Sequence, residues 1–271
     1  MKKVNNIVIN ILTRTSNRPS AFLQCYRSIK LQTYSNINHI VSYDNKDTFD
    51  YIKELDIIPI KVLKPSGIDK PAFDNFGNVY APYNLYCNDL LSMVNKGWVM
   101  FLDDDDRLFN DCVVKEIVDK IKENSEDTLF VNCMRYPNGK LKPSVYSLSN
   151  SRIKINDIGS PCVVFHSKYI NKAKWDDYKR SDFRFIKKLE SIIPNIVFSS
   201  NVTTQINNFG DFGRQNDVVY QLPFSFYKSN ILWYLLPKYH QTVFGVKIFH
   251  SSLYISLKKR IVLKLKSFIK F

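Results

Sequence analysis

The chain has 271 residues, of which 45% are hydrophobic and 14% aromatic, and its formal net charge is +14. This apolar content is enough for a packed core, so the composition excludes a disordered chain. The numbers of glycines (8) and prolines (11) are too low for a fibrous or linker-rich chain. Five scattered cysteines without a CxxC pair argue against a disulfide framework or a zinc site, as is typical of a cytosolic protein. The sequence contains no run of about 18 apolar residues, so it predicts no membrane span.

The first half of the chain predicts strands that alternate with helices. The predicted strands are 4–13, 37–45, 57–64 and the apolar run 98–102. The predicted helices are 17–33, with Asn17 as its cap, 82–95 and 111–123, each with apolar residues at helical spacing. This alternation predicts an α/β fold with a mostly parallel sheet flanked by helices.

The second half is less regular. Further strands are predicted at 127–136, 160–167 and 195–206, and a helix at 181–193. All 25 acidic residues lie before residue 218, whereas nine of the Lys and Arg residues follow it. We therefore expect one domain over 1–217 and a basic, aromatic-rich C-terminal extension over 218–271.

Polar clusters directly follow three of the predicted strands: Thr13 to Thr15, Asp44 with Asn45, and Asp103 to Asp106. In open parallel sheets, ligands bind beyond the carboxyl ends of the strands. We therefore expect the three clusters to lie together at one edge of the sheet and to form the binding site.

The sequence FLDDDDRL places four successive carboxylates after a buried strand. Such a cluster is costly unless a cation compensates it, and Mn²⁺ or Mg²⁺ bound by carboxylates and substrate phosphates is one solution. If the strand continues, Asp103 and Asp105 share one face as a D-x-D pair. Two other interpretations stay open, a solvated turn or helix cap formed by Asp106 or Asp111, and a phosphatase nucleophile, which the following Asp106-Arg107 disfavours.

The segments ILTRTSNRP, INHIVSYDN and NKGWVMFLDDDDRL together resemble the N-terminal half of family 2 glycosyltransferases, which have the GT-A fold. The resemblance covers about residues 5–110 and continues more weakly to about 215. It implies a nucleotide-sugar-binding half, 1–110, and an acceptor half, 111–217. It also implies a metal-dependent, inverting transfer from a nucleotide-diphosphate sugar, commonly a UDP-sugar, to a hydroxyl group.

The resemblance assigns the donor-binding residues to the strand ends. Thr13 and Arg14 would lie beside the nucleotide base and phosphates, and Asp44 would hydrogen-bond the base. Asn84 or Asn88, on the preceding helix, would help to shape the donor pocket, although a helix surface or cap explains them as well.

The acidic cluster takes the remaining donor-side roles in this resemblance. Asp103 would contact the ribose or the metal, Asp104 would join the donor-binding residues, and Asp105 would ligate Mn²⁺ or Mg²⁺. A C-terminal histidine, His240 or His250, is a further candidate ligand for the metal.

An inverting transferase also needs a general base, which takes the proton of the acceptor hydroxyl. The family usually places an Asp at the start of a helix on the acceptor side, after Glu or Gly. Asp182 occupies that position here, with Ser181 in place of the usual Glu or Gly. The alternative is that Asp182 only stabilises a helix N-terminus.

The end of the basic extension, 253–271, alternates apolar and Lys residues at helical spacing and predicts an amphipathic helix. Such a helix suits an anionic membrane surface, so a lipid-linked or other glycan acceptor and a cytoplasmic or peripheral inner-face location are the first expectation. Two alternatives stay open. The charge also suits DNA, as in phage-type glucosyltransferases acting on modified bases or on sugars attached to them. The chain could also be a non-catalytic sugar-nucleotide-binding module.

Overall fold

The computed structural model describes residues 7–63, 65, 70–136 and 139–206, and the backbone of 242–243 and 246–247. The helices are α1 (Pro19–Lys30), α2 (Lys46–Ile52), α3 (Tyr86–Ser92), α4 (Val113–Lys122), α5 (Val145–Ser149) and α6 (Ser181–Ile192). The strands are β1 (Ile9–Arg14), β2 (Ile37–Tyr43), β3 (Ile58–Lys61), β4 (Trp98–Phe101), β5 (Arg107–Leu108), β6 (Thr128–Arg135), β7 (Leu141–Lys142), β8 (Val163–His166) and β9 (Asn195–Gln205). A short antiparallel pair, β10 (Thr242–Val243) and β11 (Val246–Lys247), falls in the C-terminal extension.

The strands β1 to β9 form one mixed sheet in the order β3-β2-β1-β4-β8-β6-β9-β5, with β7 paired to β6. Strands β1, β2, β3 and β4 run parallel, β8 runs antiparallel between β4 and β6, and β6 and β9 are again parallel. This arrangement confirms the predicted α/β class with a mostly parallel sheet.

Helices cover both faces of the sheet, because successive strand side chains point to opposite sides. On one face Ile11 and Met100 pack with Ile29 of α1 and Val114 of α4. On the other face Leu12 and Phe101 pack with α3 and α6. Phe165 of β8 and Phe185 of α6 are fully buried in this layer. Side chains that alternate along β1 therefore pack against one helical layer on each face of the sheet.

The connection into β4 depends on Gly97, whose φ is +94°. A Cβ atom there would lie 2.4 Å from the carbonyl oxygen of Val8, so only glycine fits without a shift of the backbone. The turn lets Trp98 N–H donate to the Val8 carbonyl at 2.8 Å and brings β4 alongside β1.

The predicted cap of α1 is wrong. Arg18 occupies the N-cap position without a side-chain cap, while Asn17 has a φ of +53° and lies outside the helix. Helix α2 was not predicted. Its first turn is capped by Asn45, whose Oδ1 accepts from Thr48 N–H at 2.8 Å. The remaining predicted helices and strands up to residue 206 are present within a few residues of the expected bounds.

The predicted domain boundary at residue 217 and the predicted amphipathic helix near the C-terminus lie outside the described residues. Within the part of the chain that the structure describes, no helix is both long and apolar enough to cross a membrane.

Candidate active site

The four aspartates after β4 form a turn, because Asp106 N–H donates to the carbonyl of Asp103 at 3.0 Å. The expected extended strand, with Asp103 and Asp105 on one face, is therefore wrong. Asp104, Asp105 and Asp106 are buried, whereas the side chain of Asp103 is 37% exposed. Among the four carboxylates, Asp103 is thus the most accessible to a ligand.

Arg18, which was not predicted as a site residue, compensates much of the buried negative charge. Its Nη1 lies 2.9 Å from Oδ1 of Asp104 and 3.3 Å from Oδ2 of Asp105. Burial, together with the neighbouring Asp105, raises the pKa of Asp104 to about 7, against the influence of Arg18. Asp104 faces Arg18 inside the protein, so the structure gives it a supporting position behind the exposed edge.

Arg14, at the end of β1, connects the acidic turn to the segment before α3. Its Nε and Nη2 lie 3.4 Å from Oδ1 of Asp103, and its Nη1 donates to Oδ1 of Asn84 at 3.0 Å. The guanidinium group also lies over the rings of Tyr83 and Trp175, 5.3 and 5.8 Å from their centroids. A cation is therefore fixed beside the exposed carboxylate of Asp103.

The two asparagines before and within α3 have separate positions. Asn84 joins Arg14 to the loop before α6, since its Nδ2 donates to the carbonyl of Tyr178 at 2.8 Å. Asn88 exchanges two hydrogen bonds of 2.9 Å with the backbone of Trp175. Asn84 therefore contacts the predicted site, whereas Asn88 fixes the adjoining loop.

Asp44 follows β2 and lies at the same edge of the sheet. Its Oδ1 accepts from Ser16 Oγ at 3.0 Å and from Asn45 Nδ2 at 2.7 Å, and its Oδ2 accepts from the Tyr86 hydroxyl at 3.1 Å. Burial and the Asp44 carboxylate raise the pKa of Tyr86, which keeps this phenol a donor. The carboxylate is thereby held in one orientation among polar groups.

Thr13 does not share this edge through its side chain. It is fully buried, and its Oγ1 lies 3.1 Å from Nε2 of His39, whose pKa falls to about 3 because of burial and the nearby Lys30. Any contact of Thr13 with a ligand would therefore have to be made by its backbone, and its place beside the nucleotide stays a prediction.

Asp182 lies in the first turn of α6, after Arg180, which has a left-handed φ of +65°. It is half-buried, and burial raises the pKa of its carboxyl, with the Asp103 carboxylate adding to the effect and Arg14 opposing it. The loop before α6 contacts Arg14 through Trp175 and, through Asn84, at the Tyr178 carbonyl, so the acceptor-side helix begins near the acidic turn. A carboxylate with a raised pKa is a stronger base than one in water.

Ser181 occupies the position where the resembled family usually has Glu or Gly. Its side chain is buried, and its Oγ accepts from Asp176 N–H at 2.7 Å. Arg184 adds a bidentate pair with Asp176, with both N–O distances 2.5 Å, and donates to the carbonyls of Tyr178 and Lys179. Ser181 and Arg184 thus fold the loop that delivers Asp182 to the site.

No group of three or more His, Cys, Asp or Glu side chains is placed to hold a metal ion within the described residues. The carboxylates of Asp103 and Asp105 supply the hard oxygen donors that Mn²⁺ and Mg²⁺ prefer, so the donor set suits a cation whose other ligands are phosphate oxygens and water. Asp105 also contacts Arg18, which leaves Asp103 as the more accessible donor. The candidate ligands His240 and His250 lie outside the described residues.

The fold is that of GT-A-type glycosyltransferases. TarS of S. aureus in complex with UDP-GlcNAc superposes with a TM-score of 0.57 at 18% identity, over 83% of this chain and 65% of that one. The mannosyltransferase PcManGT of Pyrobaculum calidifontis, in complex with GDP-Man and Mn²⁺, gives 0.52 at 11% identity, over 78% and 59%.

A complex of TarS residues 1–349 with UDP gives a TM-score of 0.55 at 18% identity, over 73% of this chain and 60% of that one. The chain thus spans less than two thirds of the length of these structures. Searches by sequence find no family model and no curated protein that matches the chain. The comparisons establish the fold of the described residues.

Proposed function

We propose that the protein is an inverting glycosyltransferase of the family 2 type. It moves a sugar from a nucleotide-diphosphate sugar, a UDP-sugar in the first instance, to a hydroxyl group of a glycan or lipid-linked acceptor. The observation that carries this proposal is the pairing of Arg14 with Asp103 at one edge of a glycosyltransferase fold, where β2 also ends just before Asp44 and where Trp175, in the loop before α6, lies against Arg14. The nucleotide sugars bound in the similar TarS and PcManGT structures support the choice of donor.

The donor side of the site fits a nucleotide diphosphate. Asp44 offers carboxylate oxygens to the N–H of a base such as uracil, and the Arg14 guanidinium provides positive charge for the diphosphate leaving group. Asp103 and Asp105 would hold Mn²⁺ or Mg²⁺, which supplies further neutralisation of the diphosphate when bound. The Mn²⁺ in the mannosyltransferase complex supports a divalent ion, without distinguishing it from Mg²⁺.

Asp182 serves as the general base in this proposal. The acceptor oxygen forms a bond to the anomeric carbon as the bond from that carbon to the diphosphate oxygen breaks, and the hydroxyl proton passes to the Asp182 carboxylate. The nucleoside diphosphate leaves with the electron pair of the broken bond. A single displacement of this kind inverts the anomeric configuration.

The test is a panel of UDP- and GDP-sugars incubated with the protein and Mn²⁺, read by the release of free nucleoside diphosphate. We expect release from one donor, faster in the presence of acceptor, and loss of that release in Asp103→Asn. The matched control is Asp119→Asn, which removes an exposed carboxylate on α4 that pairs with Lys115 and Lys122. Tight binding of a donor without any release would instead favour the non-catalytic module.

A further inference from the structure

The acceptor half contains a basic edge, which we define as residues 139–156 after β6. This segment includes β7 and α5 and carries Lys140, Lys142, Arg152 and Lys154 without a single Asp or Glu. Four cations within 18 residues distinguish the basic edge from the mixed charges of the rest of the described chain.

The first carboxylate after the basic edge, Asp157, is occupied by other donors. It accepts from Ser144 N–H at 3.1 Å, from Ser144 Oγ at 2.7 Å and from Ser147 Oγ at 2.6 Å, and so closes the N-terminus of α5. Within the described ranges, no ion pair joins Lys142, Arg152 or Lys154 to a carboxylate. Among the described residues, these three side chains therefore have no carboxylate partner in an ion pair.

Lys142 brings this charge to the candidate active site. It is half-buried, and its Nζ lies 5.0 Å from the centroid of the Tyr136 ring. Burial lowers its pKa and the neighbouring Lys140 adds to this, against the opposing influence of Asp157. The Lys142 backbone is tied to the acceptor helix, since Cys162 Sγ donates to the Lys142 carbonyl at 3.6 Å and the turn 160–162 packs against α6, the helix that begins at Ser181 and Asp182.

The rest of the basic edge extends this charge outward. Lys154 and Arg152 are exposed, and the Nζ of Lys154 lies 4.1 Å from the centroid of the Tyr146 ring. Tyr146 and its neighbour Val145 are 56% and 72% exposed. A ligand that reaches Asp182 from this side therefore passes the cations of the basic edge, whose own residues, 139–156, include no carboxylate.

We propose that the basic edge binds a phosphate group of the acceptor, so that the substrate of the transfer is a phosphate-bearing glycan. This inference rests on the proposed function, since it assigns a substrate class to the site of Asp182. Lys and Arg are the side chains that bind phosphate oxygens by charge-assisted hydrogen bonds. A phosphate at Lys142 would compensate its half-buried charge and hold the neighbouring sugar beside the candidate base.

The test uses octyl glucosyl phosphate and octyl glucoside as probes, each titrated by calorimetry with and without saturating UDP and Mn²⁺. We expect the wild-type protein to bind the phosphate form at least tenfold more tightly. The variant K142Q/R152Q/K154Q should lose this preference, while its UDP binding stays unchanged. The control K53Q/K115Q/K122Q removes three exposed lysines elsewhere, each paired with an Asp, and should keep the preference.

Equal affinity for the two octyl probes, or a preference that survives in K142Q/R152Q/K154Q, would overturn the inference. Phosphatidylglycerol vesicles and a 20-bp DNA duplex are titrated in parallel. Tighter binding of either than of the sugar phosphate, lost in the same variant, would reassign the basic edge to a lipid surface or to DNA. Absence of UDP binding with an intact phosphate preference would contradict the proposed function and leave the basic edge as a phosphate site.

Discussion

Arg18 is a buried cation that bridges two successive aspartates of the acidic turn. Removing one partner of such a buried pair leaves an uncompensated charge, which costs far more than an exposed pair contributes. No spacing rule identifies Arg18 as a buried counter-ion, because a charged residue just before a helix is ordinarily exposed to solvent. Its role depends on the packing of α1 against the turn after β4, which only the folded chain shows.

We expect Arg18→Met to destabilise the protein by about 3–5 kcal/mol at pH 7.5. The loss should be smaller at pH 5, since the raised pKa of Asp104, about 7, means that its carboxyl binds a proton there and needs no counter-charge. A raised pKa in the folded state stabilises that state at low pH, and this contribution is lost as the pH rises towards 7. Urea denaturation at the two pH values measures the difference.

The control for Arg18 is Lys30→Met, which breaks the exposed pair with Asp56. Its denaturation midpoint should stay close to that of the wild type at both pH values. An equal loss for Arg18→Met at pH 5 and pH 7.5 would contradict the assignment of Arg18 as the counter-ion of Asp104.

Asp182→Asn should lower turnover by about 10²–10⁴-fold, the usual contribution of a general base, while donor binding stays unchanged. In the wild type the base is active only when deprotonated, so turnover should fall as the pH drops through the raised pKa of Asp182. This acid limb should be absent from the residual activity of the variant. The measurement is the pH dependence of turnover, with Glu190→Gln on the same helix as the control.

At the level of elements, the strands and helices with strong apolar periodicity were predictable, because each buries a regular face against the sheet. The short elements α2, α5, β5 and β7 were not, since two to seven residues carry too little periodicity. The acidic turn was also missed. The sequence showed that four neighbouring carboxylates would repel one another at the end of a buried strand. It did not show the backbone hydrogen bond from Asp106 to Asp103, which forms because the chain leaves the sheet after Phe101.

The loop before α6 is the element on which the position of Asp182 depends, and Arg184 holds it through Asp176. We expect Arg184→Met to loosen this loop, to speed trypsin cleavage after Lys179, and to lower turnover more than donor affinity. The effect on global stability should be about 1 kcal/mol, because the ion pair is about one-third exposed on both sides. Limited proteolysis with steady-state kinetics separates the two effects.

Lys188→Met, on the exposed side of α6, serves as the comparison for Arg184. It removes a positive charge from the same helix without touching the loop. Cleavage after Lys179 at the same rate in both variants would show that Arg184 does not hold the loop.

For the whole molecule, the alternation of strands and helices in the sequence was sufficient to predict the fold class, and the similar glycosyltransferase structures agree with it. The edge formed by Arg14, Asp44 and Asp103 was predictable because parallel strands end together. The burial of Thr13 and Asp104 was not predictable, because packing decides whether a side chain at a strand end points into the interior or towards a ligand. The membrane and DNA expectations rest on the extension and stay predictions.

The central claim is that this edge binds a nucleoside diphosphate together with a divalent cation. Calorimetric titration of the full-length protein with UDP and with GDP, each with and without Mn²⁺, tests it most directly. We predict that one nucleotide binds, that Mn²⁺ strengthens the binding, and that Asp103→Asn removes this gain. The absence of binding for both nucleotides under all conditions would contradict the account.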